Sequence, residues 1–228
     1  MSGILEAAFI SGLLGAMMRM ATPIIFATLG EIIAERAGVL NLGIEGIMLM
    51  GAMTGFLVTL LSGSLWLGVL AAALVGMALA LLMAFLAVYL GLSQHVSGLG
   101  ITIFSTGLAM FVYRLHVGSP TVPPTVEPFK QLAVPVLSSI PVIGPGLFHQ
   151  YALTYIAWLL VPVLSIILYK TNIGLKIRTV GESPVVADTV GVNVNLTRTL
   201  CLVAGGALMG VLPTIPWTSS KLFRGILP

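Results

Sequence analysis

The stretch AERAGVLNLGIEGIMLMGAM, residues 34–53, sets Glu35, Arg36, Asn41 and Glu45 among Gly38, Gly43 and Gly46 and then returns to apolar residues. If it is helical, the spacing of Asn41 and Glu45 puts both on one face, while the glycines weaken the helix around them. A helix broken in this way frees backbone amides and carbonyls, which with polar side chains can hold a hydrophilic solute where backbone lines a cavity. The plainer alternative leaves Glu35, Arg36 and Glu45 paired with one another at the end of two helices. A charge within an apolar membrane region costs at least about 2.5 kcal/mol, so Glu45 is shallow, paired or functional.

A second polar stretch, TNIGLKIRTVGESPVVADTVGVNVNLTR, covers residues 171–198. Ser183 at an N-cap, Pro184 at the first helical position and Gly191 as a stop predict a short helix over 183–190. Val185, Val186 and Thr189 share one face of it, flanked by Glu182 and Asp188. One short helix on a glycine hinge suits docking; a solvated connector is the alternative. A third group, Ser93, His95 and Ser97, raises the idea of an intramembrane hydrolase. Serine and histidine on one short turn are not a triad, and no GxSxG accompanies them. The sequence offers no catalytic residue and no metal site.

The elements that must position these residues are membrane helices. The chain has 228 residues, 58% hydrophobic and 7% charged, with a mean hydropathy of +1.12, where soluble domains carry about 25% charge. From Gly46 to Tyr113 no Asp, Glu, Lys or Arg occurs, and these 68 residues leave room for three spans. Spans are predicted over 4–33, where Glu6, Arg19 and Glu31 interrupt and Pro23 should kink, and over 44–61, 65–90, 96–113 and 151–169. Gly51 and Gly55 form a small-xxx-small pair in the second of these. Thr102, Ser105, Thr106 and Gly107 give the fourth a polar face that should point into the bundle, making Thr102 and Ser105 candidates with Asn41 and Glu45 for a substrate path. A sixth segment over 199–212 carries Gly206 and Gly210 for packing but is cut by Pro213 and Pro216, which leaves it too short to cross. The fold class expected is all-α, a polytopic bundle of five to six transmembrane helices. It occupies residues 1–212, with a divergent tail over 213–228.

Cys201 is the one cysteine and sits in an apolar run, so a buried thiol is expected rather than a disulfide or a metal ligand. The N-terminus lacks the basic start and cleavage site of a secretory signal. A net charge of +3, dispersed along the chain, gives no footprint for nucleic acid.

TPIIFATLGEIIAERAGVLNLGIEGIMLMGA and GESPVVADTVGVNV resemble the permease subunits of bacterial ATP-binding-cassette importers for branched-chain amino acids, simple sugars and nucleosides, with the nucleoside and simple-sugar branch the more similar. The resemblance covers residues 21–211 and ends before LPTIPWTSSKLFRGILP, so the chain is expected to be a truncated permease. It implies a multi-pass protein of the bacterial plasma (inner) membrane, half of a translocation pathway for a nucleoside or simple sugar. Its implied partners are a second permease subunit, an ATP-binding subunit, an extracytoplasmic substrate-binding protein and membrane lipid. It also implies that Gly181, Glu182, Ala187, Asp188 and Gly191 belong to the segment that couples to the ATPase. No cofactor is expected on this chain: ATP belongs to the separate subunit, and no GxxxxGK[ST] phosphate cradle is present here. A proton-coupled carrier titrating at Glu45 is the alternative within transport, although it leaves the coupling-like loop without a task and no internal repeat of the opening motif supports it. A non-functional truncated permease is the other alternative.

Lys170, Lys176, Arg178 and Arg198 are four of the ten basic residues and fall in one loop, which the positive-inside rule puts in the cytoplasm. The loop over 119–146, with seven prolines, is then external. A Thr125→Cys variant should therefore react with an impermeant maleimide in intact cells; labelling only after lysis would invert the topology.

Overall fold

A computed structural model of the chain describes residues 2–118, 129, 131–133 and 147–211. The tail over 213–228 and most of the proline-rich loop, with Glu127 and Lys130, lie outside the described residues. Helix α1 runs over Ser2–Arg36 and stays helical through Pro23. Helix α2 covers Ile44–Ser62, α3 covers Leu65–Ala84 and ends in a π-helical turn, Phe85–Tyr89, and α4 covers Gln94–Val117. A two-stranded antiparallel ribbon follows, β1 Gln131–Ala133 with β2 His149–Tyr151. After it come α5 (Ala152–Lys170), α6 (Asn172–Glu182), α7 (Pro184–Thr189) and α8 (Val194–Val211). Among the described residues six helices are long and apolar enough to cross a membrane.

Two expectations are corrected here. The sixth segment begins at Val194 rather than 199, because Asn193 Oδ1 accepts the Leu196 N–H at 2.9 Å and caps the helix five residues earlier. Its 18 residues span about 27 Å, enough to cross. Thr197 and Thr199 do not stop it, since their hydroxyls bond back to the Asn193 and Asn195 carbonyls. The loop over 170–198 is also not one connector. Thr171 Oγ1 accepts the Gly174 N–H and starts α6, whose Gly174 is so tight against the Ile167 and Leu168 carbonyls that it folds back onto the end of α5. The β-ribbon is a small addition to the all-α bundle.

Helix α8 is the centre of the bundle. Gly205 lies against Gly30 of α1, Gly206 against Gly76 and Ala80 of α3, and Gly210 against Ala72 of α3 and Gly51 of α2. A Cβ at any of these glycines would enter a carbonyl or another carbon of the facing helix. Lipid tails are as apolar as leucine, so helices in a bilayer gain little from burying apolar area against each other, and close backbone packing takes over. Gly55, Thr59 and Gly68 bring α2 and α3 together in the same way.

The two ends of the bundle differ. One collects residues 36–43, Gln94, α6, α7 and the start of α8, joined by Arg198 Nε donating to the Ala37 carbonyl and Leu40 N–H donating to Gln94 Oε1. The other carries the ribbon, where Tyr155 donates to the Leu132 carbonyl at 3.0 Å, and an edge-to-face pair of Trp66 and Phe129.

The seam makes a sharp prediction about size. Gly206→Val should lower stability by about 3 kcal/mol, because the atoms it meets are mostly backbone and cannot turn aside. Gly107→Ala, with nothing within 4 Å of its added carbon, should stay within about 1 kcal/mol of the parent. Unfolding midpoints of the purified proteins in detergent micelles distinguish the two.

Candidate functional site

The chain between α1 and α2 is where the polar chemistry concentrates. Helix α1 ends in a Schellman arrangement: Gly38 takes φ +82°, its N–H donates to the Glu35 carbonyl at 2.9 Å, and Val39 N–H reaches back to the Ala34 carbonyl at 3.1 Å. A left-handed residue at that position favours glycine, and a side chain there would also meet Gly181 and Arg198. Three of the four donors that follow are taken by side chains. Leu40 N–H goes to Gln94 Oε1 (2.8 Å), Asn41 N–H to Glu31 Oε1 (2.9 Å) and Gly43 N–H to Asn41 Oδ1 (2.9 Å). Thr102 Oγ1 donates to the Leu42 carbonyl at 3.2 Å.

Asn41 is therefore a buried tie rather than a helical residue. Its side chain closes an Asx-type turn onto Gly43, and its Nδ2 lies 3.8 Å from Met209 Sδ of α8. Because Asn41 holds that turn, α2 starts only at Ile44, and the expected shared helical face of Asn41 and Glu45 does not form. Asn41 is 1% exposed, whereas Glu45, in the first turn of α2, is open to the surroundings. Among the described residues neither Glu35 nor Glu45 makes an ion pair, so the expected alternative of paired end charges is not seen either. Most amides of the break are already held, by Glu31 of α1, Gln94 of α4 and Asn41 itself.

Thr102 and Ser105 do come to this place. Gly46 lies against Thr102 and the Ser105 side chain, and Gly98 against Leu42, so α4 packs tightly on the start of α2. Ser105 is fully buried, and its Oγ has no hydrogen-bond partner among the described residues. Asn41, Thr102 and Ser105 thus surround the first turn of α2, from which Glu45 projects. Glu31 and Gln94 were not picked out as site residues from the sequence. The signal for Glu31 was present, since a carboxylate inside an apolar span needs a reason; Gln94 gave none.

The second constellation forms at the same end. Helix α7 starts at Pro184 after Ser183, as expected, although the Ser183 side chain makes no capping bond. Gly191 takes φ +80° with open space around it. Val185, Val186 and Val190 are 75%, 54% and 70% exposed, with Glu182, Asp188 and Thr189 exposed around them. Ala187 is buried, and Gly181 is pressed against the Arg36 carbonyl, so both seat the helix rather than face outward. Beside α7 an open groove of about 570 Å³ is lined by Pro184, Val185, Asp188 and residues 191–195.

The profile of the branched-chain amino acid transport system / permease component family matches residues 13–215. The chain belongs to that family. A putative glucose ABC transporter permease protein of Haloferax volcanii is 44% identical over 206 residues, covering 89% of this chain and 61% of that protein. A guanosine ABC transporter permease protein of Bacillus subtilis is 36% identical over 198 residues (84% and 62%). A nucleoside ABC transporter permease protein of Lactococcus lactis subsp. cremoris is 34% identical over 202 residues (86% and 63%). This permease chain thus spans about three fifths of the length of those relatives. No solved structure matches it significantly. Family membership and six apolar helices make it a multi-pass membrane protein.

Asn41→Ala should lower stability by about 1–3 kcal/mol, since it strands the buried Gly43 N–H. Glu45→Gln, at an exposed and unpaired position, should change it by less than about 0.5 kcal/mol. Denaturant titration of the two variants in one detergent tests the contrast.

Proposed function

We propose that this chain is the permease subunit of an ABC importer for a nucleoside or simple sugar and contributes half of a translocation pathway with a second permease subunit. In this reading the chain hydrolyses nothing and carries no cofactor. A separate subunit binds ATP, and an extracytoplasmic protein delivers the solute at the end bearing the β-ribbon. The observation that carries the reading is the exposed valine face of α7, hinged at Gly191, on the same bundle end as the tied break between α1 and α2. The relatives bear the names of a putative glucose, a guanosine and a nucleoside ABC transporter permease protein, which supports the solute class.

Mechanistically, α7 is the docking element. Val185, Val186 and Val190 enter a cleft of the ATPase, Glu182 and Asp188 flank it, and Ala187 and Gly181 hold the helix against α6 and the end of α1. Displacement of α7 by the ATPase is transmitted through Gly181 to Gly38 and through Arg198 to Ala37, and so to the break that precedes Glu45. Glu45, with Thr102 and Ser105 behind it, contributes to the solute path, while Asn41 fixes the turn from which it projects.

The test is association with a co-expressed ABC-type ATPase from the same cell. Val185→Glu with Val186→Glu should reduce co-purification at least about tenfold, since each buried valine contributes about 1.5–3 kcal/mol. Membrane insertion should be unchanged, because both side chains are already exposed. Full association by a normally inserted variant would remove α7 as the coupling element.

A further inference from the structure

We propose that the junction of α1, α5 and α6 binds the phosphate of an anionic membrane lipid. Two arginines converge there on one ring: the guanidinium carbon of Arg36 lies 5.6 Å from the centroid of Tyr169, and that of Arg178 lies 5.3 Å from it. Arg36 is the last residue of α1, Tyr169 stands at the end of α5, and Arg178 is on α6. Neither arginine makes an ion pair among the described residues, and Glu35 and Glu182, the carboxylates nearest in sequence, are exposed without pairing to them. The Nε of Arg178 is buried without a hydrogen-bond partner. Two cations set against one aromatic ring repel each other, and a guanidinium edge shut away from solvent lacks an acceptor. A phosphate answers both, because its oxygens accept from planar guanidinium donors in pairs.

The surroundings favour a lipid over a soluble anion. Tyr169 is 48% exposed at the end of a membrane helix, where aromatic rings sit at headgroup level. On α6, Ile173 and Leu175 are 66% and 55% exposed while Ile177 and Val180 face the bundle, so the helix offers apolar side chains on both sides of its seat. Lys170 and Lys176 are exposed on the same segment and add positive charge. A basic pocket between helices at the membrane surface, flanked by outward apolar side chains, suits a headgroup whose acyl chains stay in the bilayer.

The full chain in an uncharged detergent should gain thermal stability on adding phosphatidylglycerol and not phosphatidylcholine, and its native mass spectrum should retain phosphatidylglycerol. Arg36→Gln with Arg178→Gln should raise the lipid concentration for half the thermal shift at least fivefold. Arg36→Lys with Arg178→Lys, which keeps the charge, should recover part of the response and guards against a folding defect in the glutamine pair. An equal response to phosphatidylcholine, or a full response in the glutamine pair, would overturn the proposal. Equal protection by millimolar inorganic phosphate would make this a soluble-anion site and also overturn it. Unchanged lipid binding with lost ATPase association would assign the arginines to the partner protein instead.

Discussion

Close backbone contact along α8 is the constraint on which the rest of the bundle depends. Gly205, Gly206 and Gly210 present their bare backbone to α1, α3 and α2 respectively, and each facing helix answers with a glycine or alanine. Within a bilayer the alternative to helix contact is lipid contact of equal polarity, so these helices hold together through the fit of their surfaces. That fit fixes rotation as well as distance. Met209 is turned inward beside Ile47 and Leu79, and Cys201 is placed among Ile33, Ala37, Leu168 and Ile177.

The polar break between α1 and α2 is held in place by that packing. Glu31 and Gln94 each accept an amide of the break, and Arg198 of α8 donates to its carbonyl at Ala37. Three helices therefore control a turn of seven residues, 37–43, with few degrees of freedom left. This arrangement gives partners within the bundle to most backbone donors of the break, which non-helical backbone beside lipid needs. It also sets the first turn of α2, which carries Glu45, against α4 at the end from which α7 projects, so the break and α7 are joined by one set of ties.

The spans were legible because hydropathy and length alone mark them: the helices over 44–62, 65–84 and 152–170 follow from apolar runs of membrane length with at most one charge each, Glu45 or Lys170 at an end. Helix α7 was legible for a different reason, since Pro184 and Gly191 are local signals that need no tertiary partner. Helix α6 was hidden, because Lys176, Arg178 and two threonines around it read as a solvated loop until Ile177 and Val180 find the bundle. The break at the glycines was legible, but the shared helical face of Asn41 and Glu45 came from a helical period applied across Gly43, where the chain turns. Spacing marked Gly206 and Gly210 as packing positions, but their partners lie more than a hundred residues away, and no single-sequence pattern pairs Gly76 with Gly206.

Cys201, the chain's one cysteine, reports on the central claim directly, since it sits on α8 at 4% exposure against α1, α5 and α6. The measurement is its reaction rate with a membrane-permeant maleimide across a denaturant titration in micelles, beside helix content by circular dichroism. If α8 is locked by its glycine contacts, the thiol reacts only as the whole bundle unfolds, and the two transitions coincide. Rapid reaction at full helix content, before any loss of the other spans, would show α8 opening by itself and contradict its place as the element that holds the bundle together.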